Sequence, residues 1–321
     1  MNATTTTAFN PALALYAKGV VAATFALIFI GGLVTTYQAG MAVPDWPLSF
    51  GSLNPEGWWG NFPVRLEHGH RLFASLVGAL VTGLFFWVWF SESRTRALRW
   101  LTAAALVGVI AQGVLGGLRV TIETGGNPHL ALRLRILHGC VAQAELCLLV
   151  AVATLLSRGW IADAWTSVGA GFSAVKRMAW VAVGAVYGQL IVGAAMRHKG
   201  AGLAIPTFPE ANADGGWMPT VHNVFIDLNF THTRFGAALV TLVILTLAGL
   251  VLRRARGEVR LTSPALGLLG LVLVQVSLGV YVIWHAKPMT LTTIHVVNGA
   301  AVLALSLLLA LRAGRFAEVK R

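Results

Sequence analysis

Charge is scarce in this chain. Of its 321 residues only 11% are Asp, Glu, Lys or Arg, and 12 are acidic, where a soluble domain carries about 25% charged residues. So few charges cannot cover a water-facing surface, which makes lipid the solvent for most of the chain. Cysteine is nearly absent. Cys140 and Cys147 lie in one apolar run; on a helix they are about 10 Å apart along the axis, too far for an unstrained disulfide. A basic leader segment and a small-residue cleavage site are both missing from Met1 to Ala17, so no cleaved signal peptide is expected. Basic stretches interleaved with aromatics are missing too. The net charge of +12 sits in short clusters between apolar runs, and nucleic acid is not an expected partner.

What is present is apolar length. Hydrophobic residues make up 56% of the chain, and the mean hydropathy is +0.73. Runs close to the ~20 residues a helix needs to cross a bilayer fall at 15–37, 68–91, 100–120, 136–157, 178–197, 232–252, 264–284 and 292–312. The expected fold is therefore all-α, with eight transmembrane helices. Basic residues gather at Arg94/Arg96/Arg99, Arg158/Lys176/Arg177, Arg253/Arg254/Arg256/Arg260 and Arg312/Arg315/Lys320/Arg321; with Lys18 these are 15 of the 24 in the chain. They mark the cytoplasmic side. Both termini are then cytoplasmic, and two long loops, Gln38 to Glu67 and His198 to Thr231, are external. Arg133 and Arg135 run against this pattern without reversing it.

The chain also repeats itself. At an offset of 162 residues, Ala39-Gly40-Met41-Ala42-Val43-Pro44 meets Ala201-Gly202-Leu203-Ala204-Ile205-Pro206, Pro47 meets Pro209 and His70 meets His232; Gln112–Gly116 resembles Gln275–Gly279 at 163, and His138 meets His295 at 157. Such self-similarity is the mark of a repeated structural unit. Each repeat holds four spans, an even number, so both halves cross the membrane in the same sense. The expectation is two pseudo-symmetric four-helix bundles in a parallel repeat, unlike the inverted repeats of many transporters. The expected division is an N-terminal bundle at 1–160, a cytoplasmic linker at 161–177 and a C-terminal bundle at 178–321.

The repeat sorts the nine histidines. His70, His138, His232 and His295 stand at the external ends of the second, fourth, sixth and eighth spans. His68, His129, His198, His222 and His285 have no counterpart in the other half. A lone histidine near a helix end is most simply an interfacial residue, but an ionisable group held at matching places in two repeats points to function. Two imidazoles from facing helices of a four-helix bundle suit the axial positions of haem iron. Zinc or copper normally requires a third or fourth protein ligand, and none is repeated alongside. Gly113, Gly116, Gly117 and Gly279 allow a flat macrocycle, or simply another helix, to come close. Arg71 and Arg234 follow the proposed ligands by one and two residues, placed for haem propionates or for snorkelling to lipid headgroups.

The halves differ at one telling place. Glu67-His68-Gly69-His70-Arg71 faces Asn229-Phe230-Thr231-His232-Thr233-Arg234, so Glu67 aligns with Asn229 and His68 with Phe230. Residues three apart share a helix face, which puts Glu67 on the side of His70 and turns His68 away. A carboxylate can move protons and stabilise positive charge, whereas an amide cannot. Glu67 either performs chemistry beside the first pair or is paired structurally with Arg71 or Arg65. Glu145 in the fourth span is a second intramembrane carboxylate, either on a proton path or bonded to Gln143 or a neighbouring helix.

Together these residues resemble the haem A synthase family over nearly the whole length. The resemblance rests on the Glu67–Arg71 segment, the loops Ala39–Pro47 and Ala201–Pro206, and histidines 70, 138, 232 and 295. It implies a haem-modifying oxidoreductase of the bacterial inner membrane that oxidises the C8 methyl of haem O to a formyl group through an alcohol, haem I. His70 and His138 would hold the substrate haem, His232 and His295 a haem b and its iron, and Glu67 would be the essential carboxylate. The implied partners are the farnesyltransferase that makes haem O, the cytochrome oxidase assembly process, an electron-transfer partner and lipid; homo-oligomerisation is left open. The loops lack the cysteine pair that some bacterial members carry, which removes any disulfide role. The rival reading is a di-haem electron carrier without substrate chemistry.

Overall fold

The computed structural model describes residues 9–91, 95–161 and 172–316. Arg94, Lys320, Arg321, the start of the N-terminal segment and most of the 161–177 linker lie outside the described residues. The helices are α1 (Pro11–Thr36), α2 (Phe62–Trp89), α3 (Arg96–Thr124), α4 (Pro128–Leu155), the single turn α5 (Arg158–Ile161), α6 (Ser173–His198), α7 (Val224–Phe230), α8 (Ala237–Arg254), α9 (Val259–Trp284) and α10 (Met289–Arg315). A π-helical segment, Thr231–Gly236, joins α7 to α8, so that Val224–Arg254 forms one span. Among the described residues, eight helical spans are long and apolar enough to cross a bilayer. This is the all-helical, eight-span membrane protein that hydropathy predicts.

The spans begin earlier than the apolar runs do. α2 starts at Phe62, where Asn61 accepts the N–H of Val64 and Pro63 follows in the first turn; Asn127, followed by Pro128, caps α4 in the same way, and Asn223 caps α7 without a proline. An asparagine cap followed by proline starts a helix whatever the hydropathy of its first turns. The histidines therefore lie inside the helices, a correction to their expected place at the ends. At a rise of 1.5 Å per residue, His70 is about 12 Å beyond the start of α2 and His138 about 15 Å beyond that of α4.

The chain divides into two compact units, Met1–Ala164 and Trp165–Arg321. In the first, α1 packs on α2 and α4, and α3 packs on the same two, closing a four-helix ring. In the second, α6 packs on α8 and α10, and α9 completes the ring. One apolar cluster of the first unit joins Leu13, Val20, Val77, Leu84, Leu98, Leu149 and Leu156. It lies wholly in the half of the ring away from His70 and His138. Bulky side chains such as Leu76, Trp100, Val107 and Ile110 are exposed, as a lipid-facing surface requires. Neither Cys140 nor Cys147 forms a disulfide.

Candidate functional site

The second unit brings its two repeat-matched histidines together. The rings of His232 and His295 stand 6.4 Å apart between centroids, with their planes at 77°. Two metal–imidazole bonds of about 2 Å on opposite sides of one ion, with the ring radius added, give a centroid separation of roughly 6 Å. The pair thus fits a single metal centre between the rings. In the first unit, His70 on α2 and His138 on α4 stand on two helices that both pack against α1 and α3. Among the described residues no group of three or more His, Cys, Asp or Glu gathers to hold a metal.

Two further observations fit a haem-sized ligand. The Nδ1 atoms of all four histidines are buried without a hydrogen-bond partner, a costly state for polar atoms unless the ring has another task. Each ring also lies edge-on against a glycine of a neighbouring helix. A Cβ at Gly31 would meet His70 Cε1 at 3.0 Å, one at Gly116 would meet His138 Cε1 at 3.4 Å, one at Gly193 would meet His232 Cε1 at 2.6 Å and one at Gly279 would meet His295 Cε1 at 3.2 Å. Gly31 and Gly193 are themselves repeat partners, as are Gly116 and Gly279. Gly116 and Gly279 were legible as small residues at helix contacts; the ring that each receives was not.

The tightest of these contacts carries a test. Gly193→Ala should push the His232 ring aside at an overpacking cost of about 1–3 kcal/mol and broaden or diminish the low-spin haem spectrum. Gly116→Ala, where the added methyl meets only an ordinary contact, should change little. Absorption and electron paramagnetic resonance spectra of the purified variants decide it, and identical spectra for wild type and Gly193→Ala would remove the packing argument.

Glutamines fix the histidine segments. Gln112 Nε2 donates to the His138 carbonyl at 3.1 Å, and Gln189 Nε2 donates to the His232 carbonyl at 2.7 Å. Gln275 lies 3.2 Å from His295 Nε2 and is itself oriented by Asn298, which donates to its Oε1 at 2.7 Å. Ligation through His295 Nε2 would replace the Gln275 contact.

The two long loops fold back on their bundles through matched arginines. Arg71 donates to the carbonyls of Val43, Asp45 and Leu48, and Arg234 donates to those of Thr207 and Glu210. Residues 45 and 48 are the repeat partners of 207 and 210. The guanidiniums thus brace the loops, a use not foreseen beside the propionate and headgroup readings. Ala39 and Val43, with their counterparts Ala201 and Ile205, are buried beneath. The Trp46–Pro47 and Phe208–Pro209 peptide bonds, also matched, are both cis. Burial works against ionisation of Asp45, yet N–H bonds from Gly51 and Phe50 and the Arg71 charge outweigh it, holding this carboxyl below the usual carboxylate range.

The π segment explains why Arg71 follows its histidine by one residue and Arg234 by two. A π turn takes up one extra residue. Before it, Glu67 and Asn229 match at an offset of 162; after it, buried Val77, Val81, Leu84 and Val88 match buried Val240, Ile244, Leu247 and Val251 at 163.

Glu67 is 2% exposed and fully engaged. One oxygen accepts the Val43 N–H at 2.9 Å; the other accepts Arg71 Nη2 at 2.8 Å and lies 3.8 Å from Arg119 Nη2. Asn229, fully buried, instead donates to the Ala201 carbonyl and accepts from Thr233 and Arg234. Arg119 escaped the sequence reading, because its half of the repeat alone carries it. His68 turns to the loop, with Nδ1 at 2.9 Å from Ser49 Oγ and its ring edge-on to Trp58. Glu145 is buried against Gly108, and neither of its oxygens finds a hydrogen bond, so the expected bond to Gln143 or a neighbouring helix is not formed.

These features define a multi-pass membrane protein with a histidine pair in each of two four-helix units, one pair accompanied by a buried carboxylate. The chain belongs to the cytochrome oxidase assembly protein family, whose model matches residues 60–307. It is similar to the Heme A synthase of Caulobacter sp. strain K31, 26% identical with 94% of this chain and 96% of that protein covered. It resembles the Geobacillus kaustophilus Heme A synthase at 26% identity, covering 92% and 91%, and that of Halalkalibacterium halodurans at 28%, covering 68% and 69%. Membership in this haem A synthase family carries a part in haem A biosynthesis, with haem as the group the family handles.

Proposed function

We propose that this chain oxidises the C8 methyl of haem O to the formyl group of haem A by way of the alcohol, haem I. In this reading His70 and His138 of the bundle at 1–160 take the substrate, while His232 and His295 of the bundle at 178–321 hold a resident haem b that supplies electron transfer. The observation that carries it is the break in the repeat: a buried carboxylate, Glu67, beside the first pair and a neutral amide, Asn229, beside the second. Oxidising a methyl conjugated to a porphyrin builds positive charge on carbon. A fixed carboxylate in a water-poor site stabilises such charge or orients a water toward it. A carrier of electrons alone has no use for the difference. Arg71 and Arg234, whose guanidiniums brace the loops, would reach propionates only by giving up some of those carbonyls.

The basic clusters put both termini in the cytoplasm of a bacterial cell and the histidine ends of the bundles on the opposite face of its inner membrane. The enzyme would take haem O from the farnesyltransferase that makes it, pass haem A toward cytochrome oxidase assembly, and need an electron acceptor. Haem content tests the reading. Protein purified from cells supplied with haem O should carry haem B together with haem O, I or A, by extraction and chromatography. Haem B alone, at two per chain, would favour the di-haem electron carrier.

A further inference from the structure

We infer that Arg119 is a positioning residue of the first unit, which holds the Glu67 carboxylate between two helices, one turn from His70. The inference rests on the reading of Glu67 as the group that acts on haem O. Arg119 lies on α3 one turn beyond Gly116, the residue against which the His138 ring lies. Its side chain is 15% exposed, its Nη2 donates to the Gly40 carbonyl at 2.7 Å, and the same nitrogen lies 3.8 Å from Glu67 Oε1. Its charge reaches both histidines of the pair. Arg71, the other cation on Glu67, sits four residues along the same helix and ties the carboxylate only to α2 and the loop. Arg119 adds the tie across the bundle to α3.

The second unit lacks the whole device. Val282 stands at the position of Arg119 and Asn229 at that of Glu67. The loop glycine is adapted to match. A Cβ at Gly40 would press on the Arg119 guanidinium at 2.9 Å, whereas one at its partner Gly202 would meet only the flexible Lys287 chain, at 3.2 Å. The carboxylate and the arginine at this place on the third span are thus present together in one unit and replaced together in the other, whose own further arginine, Arg197, lies at the end of α6 opposite Thr35 in the repeat; the histidines, their glycines and the loop-bracing arginines are common to both.

The test uses purified full-length protein and the variants Arg119→Gln, Arg119→Lys and Gly40→Ala. With haem O as substrate, Arg119→Gln should lower kcat at least tenfold with KM changed less than threefold, and Arg119→Lys should recover part of the loss. Gly40→Ala, which moves the guanidinium without removing it, should fall between. The second-unit low-spin spectrum should stay unchanged in each, as the check on folding. A second readout needs no turnover. In protein loaded with haem B, Arg119→Gln should lower the reduction potential of the first-unit haem, Glu67→Gln should raise it, and the double variant should return close to wild type. A wild-type kcat, or an unmoved first-unit potential in Arg119→Gln, overturns the inference. Wild-type protein inert toward haem O overturns the functional reading alone, and opposed potential shifts would then still support the Arg119–Glu67 pairing.

Discussion

Glu67→Gln should reduce haem A formation by at least about 100-fold, the lower range of what a positioned acid–base or electrostatic group contributes, while haem b remains in the second unit and haem O still binds. The substitution keeps size and removes charge and proton-accepting capacity. It also has a structural consequence. Both carboxylate oxygens accept hydrogen bonds, one from Val43 N–H and the other from Arg71, and a glutamine can satisfy only one of these donors with its carbonyl. Leaving the other unpaired costs about 1–3 kcal/mol, enough to loosen the first loop but not to unfold an eight-helix protein. Haem extraction from cells supplied with haem O, alongside a haem O binding titration, separates the two effects. A variant that binds haem O and yields no haem A marks Glu67 as chemical; one that makes haem A at the unmodified rate marks it as a brace. Asn229→Asp is not a neutral mirror of this change. Asn229 donates to the Ala201 carbonyl, an interaction that an aspartate turns into repulsion, so it should lower haem content in the second unit without giving that unit chemistry.

His232→Ala and His295→Ala should each eliminate the six-coordinate, low-spin spectrum of the second unit. The two rings stand nearly perpendicular with their centroids 6.4 Å apart, a separation suited to one iron between them, and removing either would leave a five-coordinate or empty site. Absorption and electron paramagnetic resonance of the purified variants read this directly. The first-unit pair offers the control, since His70→Ala should stop substrate binding and leave the second-unit signal intact. A normal bis-histidine spectrum in both second-unit variants would require other ligands and would undo the assignment of that pair.

The eight spans were legible because a helix crossing lipid must be apolar over a fixed length, and four histidines stood out because the repeat preserved them while scattering the other five. Helix starts were less legible. A hydropathy window averages over the polar first turns of α2 and α4, whereas the capping asparagines 61 and 127 decide where the backbone begins to coil. Arg119 and the glycines at 31 and 193 acquire meaning only through partners on other helices. Those are tertiary facts, and no pattern along one helix encodes them. Glu67 was read from its difference with Asn229, but its capture by Val43, Arg71 and Arg119 depends on a loop whose path periodicity does not describe.

The widened turn at Thr231–Gly236 also bears on how two such halves can drift apart after duplication. An inserted residue in an α-helix ordinarily rotates everything beyond it by about 100°, carrying buried side chains out to lipid in a single mutational step. Here the local bulge absorbs the insertion, so α8 still turns Val240, Ile244, Leu247 and Val251 inward and Arg234 still reaches its loop carbonyls. One half of the chain thus carries a residue more beside its histidine than the other, and the bulge confines that difference to a single turn, so the two copies can differ in length there and still present the same buried face.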